Sequence, residues 1–274
     1  MNKLNSESID SAHPNFQLWT RYHQSGAERG KLVDNILSSR TEIRNKRILD
    51  LGCGYGAIAK VLSEAGAEVT AVEVEIGKLA GINQKKAAPL LMSGTELGFR
   101  KDSFNIVILQ DVIEHVVEQE KLLAEITRVL QPGGLLYVVT PNRLSPLNWV
   151  ADPHWNLPFV ALASRKWVKF LIWNVFRREK KERPDFAALL SWFQLKRLLT
   201  QHRLKLNFVN SVVVQTLFSN PIAVVCHPLH LKIVAWIRKS HLQSVIEKCV
   251  SDKPGVFNSF INPTWYLLCE NEGQ

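Results

Sequence analysis

The chain has 274 residues, 46% hydrophobic and 22% charged, with a formal charge of +9. That length suits one large domain or two small ones and supports a core without disulfide or metal staples, and the composition excludes disorder, collagen and coiled coil. The charge is unevenly placed: residues 1–140 carry 16 Lys and Arg against 17 Asp and Glu, whereas 141–274 carry 18 against 8 together with seven of the eight tryptophans.

Residues 1–44 form an N-terminal helical segment in which Leu18, Tyr22, Leu32, Val33, Ile36 and Leu37 supply helical periodicity over 16–39. From Arg47 an alternation of strands and helices begins. Strands are expected at 47–51, 68–72, 88–92, 104–109 and 135–140, with helices at 57–65, 76–86 and 119–130, so residues 45–141 form a parallel-sheet core of βαβ units. Residues 142–190 break this rhythm and form a basic, Trp-rich insertion. A helix near 191–202 follows, with Ser191 as its N-cap, and then a β-branched run, 208–215. Residues 191–274 complete the core, with a second insertion at 217–260 and a last strand at 264–269.

The four cysteines, Cys53, Cys226, Cys249 and Cys269, show no metal-ligand or redox spacing, which implies a reducing setting and no structural zinc. The N-terminus lacks the apolar run of a signal peptide, and Leu206–Cys226 carries too many polar breaks to span a bilayer. A cytoplasmic location is therefore expected, peripheral on a membrane if the basic segments bind one.

The strongest local signal is Asp50-x-Gly52-Cys53-Gly54-x-Gly56-Ala57, between the first strand and the first helix. Glycines there let the backbone turn and approach a ligand closely, and the helix start offers unpaired N–H donors. Gly52, Gly54 and Ala57 also satisfy the dinucleotide pattern. Asp50 argues against a pyrophosphate, since a carboxylate at that position repels phosphate and attracts a cationic group. Glu73 ends the second strand, where it can take both hydroxyls of a ribose. A ligand with ribose, ammonium and sulfonium but no phosphate suits both acids.

Three further segments follow in order: Gln110-Asp111-Val112-Ile113-Glu114-His115, Leu130-Gln131-Pro132-Gly133-Gly134, and Thr140-Pro141-Asn142. With the glycine loop and Glu73 they resemble class I S-adenosylmethionine-dependent methyltransferases of the type 11, ubiquinone-pathway O-methyltransferase kind. The resemblance implies a Rossmann-like α/β fold: a seven-stranded sheet with helices on both faces and an antiparallel last strand, 208–215 and 264–269 being strands six and seven. It implies S-adenosylmethionine as cofactor, with Asp50, Gly52, Cys53 and Gly54 at its methionine end, Gly56 in the loop and Glu73 and Val74 at the ribose. Ser93 and Gly94 stand where the family commonly has an adenine-contacting Asp, and Gln110 would face the cofactor beneath the acceptor. Arg29 resembles a cofactor-contacting arginine of the ubiquinone-pathway enzymes, or is a solvated helix charge.

If the acceptor is a hydroxyl, His115 and His154 are the candidate bases, or His115 has a structural role. Asp111, Glu114 and His115 could instead ligate a divalent ion, but without an obvious fourth partner no metal site is assigned. The amino-methyltransferase motif with paired prolines and the Pro-Cys pair of cytosine methylation are both absent, so base methylation by those routes is not expected and nucleic acid is not assigned as a partner. Residues 142–158 resemble a subgroup of glycan and lipid-linked methyltransferases. Within 164–183, Arg165, Lys166, Lys169, Arg177, Lys180 and Lys181 share one helical face and Trp167, Val168, Leu171, Ile172 and Val175 the other. Residues 229–239 repeat the mixture. Both segments are candidates for an anionic membrane surface, or for a lid packed on the core. The expected acceptor is a lipid, prenyl or glycan-lipid hydroxyl at a membrane face, the alternatives being a soluble anionic metabolite or a non-catalytic cofactor-binding or RNA-associated protein; the oligomeric state is left open.

Overall fold

The computed structural model describes residues 16–83, 87–176 and 187–273. The periodic segment before the core is two helices, α1 (Phe16–Gln24) and α2 (Gly26–Ser38), broken at Ser25, whose hydroxyl donates to the Tyr22 carbonyl and accepts from Arg29. Then come β1 (Arg47–Leu51), α3 (Ala57–Glu64), β2 (Glu68–Glu73), α4 (Ile76–Leu79) and β3 (Ala88–Leu91). The helix expected over 76–86 is only one turn long among the described residues, and 84–86 lie outside them. β4 (Phe104–Gln110), α5 (Gln119–Val129) and β5 (Leu130–Pro141) complete the alternating part.

The first insertion contains α6 (Pro146–Val150), a 3-10 turn (Val160–Leu162), α7 (Arg165–Phe170) and a π-helical turn (Leu171–Val175). It builds a small core of its own from Trp155, Leu157, Val160, Val168 and Ile172. Arg177, Lys180 and Lys181 lie outside the described residues. The core resumes with α8 (Trp192–Gln201), closed by a capping box in which Ser191 and Gln194 bond each other's backbone amides. β6 (Leu204–Phe208) and α9 (Asn210–Ser219) follow, then α10 (Pro228–Lys239), α11 (Gln243–Cys249), a second π-helical turn (Phe257–Ile261) and β7 (Thr264–Asn271).

Strand six is thus not the β-branched run at 208–215. The strand is Leu204–Phe208, whose buried Leu204 and Phe208 alternate with exposed Lys205 and Asn207. The valines after it form α9, because Val209 and Val213 pack beside α2 and Ala223 in the core, and that tertiary packing overrides their strand preference.

The seven strands run in the order β3-β2-β1-β4-β5-β7-β6. β7 is antiparallel to both neighbours, β5 and β6, and the pairings among β1 to β5 are parallel. One sheet face is covered by Leu122 and Ile126 of α5 with Leu195 and Leu199 of α8, the other by Ile36 of α2, Leu62 of α3 and Val213 of α9. This is a Rossmann-like sheet, and β1 and β4 lie side by side at its middle, so the loops leaving their carboxyl ends share one crevice. No helix among the described residues is long and apolar enough to cross a membrane.

Trp265, fully buried on β7, donates its indole N–H to the Asn258 carbonyl at 2.6 Å and so ties the last strand to the second insertion. Replacing it with alanine opens a large cavity and orphans that carbonyl, and chemical denaturation should register a loss of about 3–5 kcal/mol.

Candidate active site

The glycine loop is fixed by its own backbone. The amides of Gly52 and Cys53 both donate to the Val72 carbonyl, at 2.8 and 3.0 Å, which ties the turn to β2. Gly52 has φ +74°, and a Cβ on it would stand 2.4 Å from Val112 Cγ2 in the loop after β4. Gly54, at φ +54°, differs: a Cβ there would meet nothing within 4 Å, so its backbone faces open space. Gly56 also has a positive φ and lies against Ile82. Cys53 is half-buried on the core with its thiol pushed up by burial.

Asp50 lies beneath this loop, 2% exposed, and its Oδ2 is buried without a hydrogen-bond partner. Burial drives its carboxyl up to about 7, against the pull of a backbone amide at Ala59 and with the help of nearby Glu73. Glu73 is almost as buried but well satisfied: Oε2 accepts from the Gly54 amide at 3.0 Å, and Oε1 from the amides of Val74 at 2.8 Å and Glu75 at 3.2 Å. Val74 itself is exposed. Ser93, beyond β3, bonds Thr95 through its hydroxyl, and a Cβ on Gly94 would sit 2.8 Å from Leu122, so that position is held small by the core. Gln110 ends β4 with its Oε1 buried and unbonded.

Helix α1 closes over these loops. Tyr22 donates its phenol to Asp111 Oδ2 at 2.6 Å, its own ionisation held off by burial first and the Asp111 charge second. The ring of His23 meets Tyr55 of the glycine loop edge-on at 4.8 Å, and burial lowers the His23 imidazole to about 4, keeping it neutral. Arg29 is half-buried: it bonds Ser25 Oγ and the Tyr22 carbonyl, with its guanidinium 3.6 Å above the Tyr22 ring. Asp111 adopts φ +54°, a left-handed geometry that Asp tolerates, which turns its side chain toward α1.

The two candidate bases come together, although they lie on different segments. The His115 and His154 rings stand edge-to-face with centroids 5.0 Å apart, and His154 Nε2 lies 3.8 Å from Glu114 Oε1. Glu114 is wholly buried. Its Oε2 accepts from the Thr140 hydroxyl at 2.9 Å, and its carboxyl is raised to about 7 by burial, with His115 lowering it and Asp111 raising it further. Asp152 positions the histidine, since its Oδ1 accepts the amides of His154 and Trp155 at 2.9 Å each. Glu114, His115 and His154 also offer ligand atoms within 4.8 Å of one another, a set suited to a divalent cation. Asp111, grouped with Glu114 and His115 from sequence spacing, is instead occupied by Tyr22.

One expectation is corrected by the geometry. Arg165 does not belong to a solvent-facing basic arc: its guanidinium donates to the carbonyls of Glu114 at 2.9 Å, His115 at 3.1 Å and Val116 at 3.2 Å. Trp167 is likewise exposed, not packed with Val168 and Ile172. The hub at Arg165, the Tyr22–Asp111 bond and the Glu114–Thr140 bond were missed from the sequence. Thr140 and Glu114 both sit in recognisable motifs, but no local signal pairs Tyr22 with a residue 89 positions away.

Residues 49–138 match the model of the methyltransferase domain family. Two similar curated proteins are the "Ubiquinone biosynthesis O-methyltransferase" of Xanthomonas oryzae pv. oryzae, 29% identical over 40% of this chain and 48% of that protein, and that of Rhizobium rhizogenes, 32% identical over 38% and 45%. The chain thus spans about half the length of these relatives. Among solved structures, an S-adenosylmethionine-dependent methyltransferase from Mesorhizobium loti superposes with a TM-score of 0.55 at 15% identity, covering 86% of this chain and 96% of that one, which establishes the fold. Residues 49–138 thus match a methyltransferase domain, on a fold shared with solved proteins whose cofactor is S-adenosylmethionine. The residues fit that cofactor: an orphaned buried carboxylate for a cationic centre, an anchored Glu73, and a glycine backbone open at Gly54.

Gly52 and Gly54 should separate structure from binding. Gly52→Ala drives a methyl into Val112, and thermal or urea unfolding should show about 2–4 kcal/mol lost. Gly54→Ala has room and should cost only about 1 kcal/mol for its left-handed φ, yet calorimetry should find S-adenosylmethionine binding weakened by at least about tenfold.

Proposed function

We propose that this chain, whose residues 49–138 form a methyltransferase domain, is an S-adenosylmethionine-dependent O-methyltransferase that acts on a hydroxyl of a lipid, prenyl or glycan-linked lipid acceptor. The observation that carries the reading is the Glu114–His154–His115 cluster, a buried acid with two half-buried histidines, which two separate segments bring together at the sheet's carboxyl edge. That the similar curated proteins are O-methyltransferases supports oxygen as the methylated atom. The apolar insertion that delivers His154 supports a lipid acceptor.

When bound, S-adenosylmethionine supplies an electrophilic methyl group on a sulfonium. The chain's part is binding, orientation and proton removal. Asp50, deprotonated, balances the cofactor's positive charge from below. Glu73 keeps lone pairs for the ribose hydroxyls while its three amide donors hold it still, and Val74, Ser93, Gly94 and Gln110 stand at or just beyond the carboxyl ends of β2, β3 and β4, where the resemblance assigns them to the cofactor. Tyr22 and His23 clasp α1 over the two loops and exclude water. His154 Nε2 takes the acceptor proton, and Glu114 at 3.8 Å stabilises the resulting imidazolium while His115 packs edge-on to hold the ring.

Two outcomes are expected. His154→Ala should lower kcat about 10²-fold while S-adenosylmethionine affinity stays within about twofold, measured by single-turnover transfer and calorimetry. Affinity should also rise with pH: a protonated Asp50 cannot hold a cation and the ionised form can, so with its carboxyl near 7 the free protein should bind S-adenosylmethionine about tenfold more weakly at pH ~6 than at pH ~8. Labelled S-adenosylmethionine incubated with a cell extract tests the acceptor. Label in a solvent-extractable methyl ether supports the proposal, and label confined to water-soluble products rejects it.

A further inference from the structure

The acid and the histidine that meet at the sheet's carboxyl edge are too far apart to hold each other. His154 Nε2 stands 3.8 Å from Glu114 Oε1, beyond hydrogen-bond distance, so their own attraction does not fix the spacing. Glu114 is tied at Oε2 alone, which accepts from the Thr140 hydroxyl at 2.9 Å. Glu114 and His115 also lie in the turn after β4, where no helix or strand ladder holds the backbone. A turn of that kind needs donors from elsewhere.

Arg165, the first residue of α7, supplies them. Its Nη2 donates to the carbonyls of Glu114 at 2.9 Å and Val116 at 3.2 Å, and its Nη1 to that of His115 at 3.1 Å. Three consecutive carbonyls converge on one planar fork, which fixes the rotation of the turn as well as its place. The segment that carries Arg165 carries His154 too. Trp155, beside His154 in the sequence, and Val168, one helical turn from Arg165, are buried in the same small core with Ile172. Asp152 Oδ1 accepts the amides of His154 and Trp155 at 2.9 Å each. These contacts close a ring that runs from Arg165 to the turn, from Glu114 across to His154, and through Trp155 and Val168 back to Arg165. In a close-packed ring one spacing cannot change without another, so the guanidinium acts on the distance between acid and histidine by way of the backbone.

We propose that Arg165 is a positioning residue of this site: it fixes the turn that bears Glu114 and His115 against the insertion that bears His154, and so sets the geometry in which the cluster takes the acceptor proton. That last step rests on the O-methyltransferase reading. The positioning does not, and the test reads the two separately.

The test is NMR of the full chain with labelled histidine, the His115 and His154 signals being identified by their loss in His115→Gln and His154→Gln. Their rings stand edge-to-face at 5.0 Å, so each shifts the ring protons of the other. Arg165→Ala should move both sets of signals and leave in place those of His23, which packs on Tyr55 at the glycine loop and reports an intact fold. Arg165→Lys keeps the charge but offers one nitrogen in place of a fork, and should move them as well. Lys166→Ala, at the exposed next position of α7, should move neither. In single-turnover transfer from labelled S-adenosylmethionine to the extractable acceptor, Arg165→Ala should slow the reaction at least about tenfold. Added to His154→Ala it should cost nothing further, as groups that act through one another do. Wild-type His115 and His154 signals in Arg165→Ala, or a further loss of rate in the double variant, overturn the positioning role. If Arg165→Ala loses the His23 signals too, Arg165→Lys makes the comparison, and wild-type signals there overturn the assignment to the guanidinium. Displaced signals in the variants, with no transfer by the wild type, leave the positioning standing and reject the O-methyltransferase reading.

Discussion

A carboxylate sealed beneath a backbone turn sets the terms for the rest of this molecule. Asp50 sits at the centre of a seven-stranded sheet, with one oxygen lacking any hydrogen-bond partner and a second acid, Glu73, at the end of the neighbouring strand. Burying an isolated charge costs several kcal/mol or more, and a group in that position responds by holding its proton, which is the direction its pKa takes. The buried carboxyl therefore holds its proton more tightly than a solvated one would, because burial outweighs the backbone amide that favours its ionised form. Glu73 shows the opposite solution to the same problem, since three backbone amides keep it satisfied and its position fixes the amide of Gly54. The near-neutral charge of residues 1–140 is thus a composite of two buried acids with distinct environments and a solvated surface.

The features legible in the sequence are those whose cause is local. The strands β1, β2, β4 and β7 are short apolar runs bounded by turn residues, and the glycine loop carries its conformational demand in residue type, as the positive φ at Gly52, Gly54 and Gly56 bears out. Strand six is less plain, because the β-branched run 208–215 is a stronger compositional signal than the five-residue alternation of Leu204–Phe208 that forms the strand. Alternation is the better guide when one face of a strand is covered. Contacts made across the fold were not legible. The Tyr22–Asp111 bond, the Glu114–Thr140 bond and the meeting of His115 with His154 each require the sheet to be assembled first.

The basic charge of the second half divides into different tasks once the fold is known. Lys169 stands 4.4 Å above the ring of Trp173, Lys166 is exposed, and Arg165 turns inward. A helical wheel treats these three as one face because it knows only their angles. The structure separates them because α7 starts beside the loop that follows β4, where three carbonyls lack helix or sheet partners and need donors.

That inward turn joins the insertion to the chemistry. Arg165 supplies the donors for the carbonyls of Glu114, His115 and Val116, and the Ala188 amide adds a second donor to Glu114, so α7 and the segment just before α8 hold the same loop. A guanidinium with donors in a rigid plane fixes the orientation of such a loop in a way that a lysine could not. The side chains of Glu114 and His115 leave that same backbone toward His154, which is itself set by Asp152 within the insertion. Both halves of the cluster are therefore anchored to the insertion, one through Arg165 and one through Asp152.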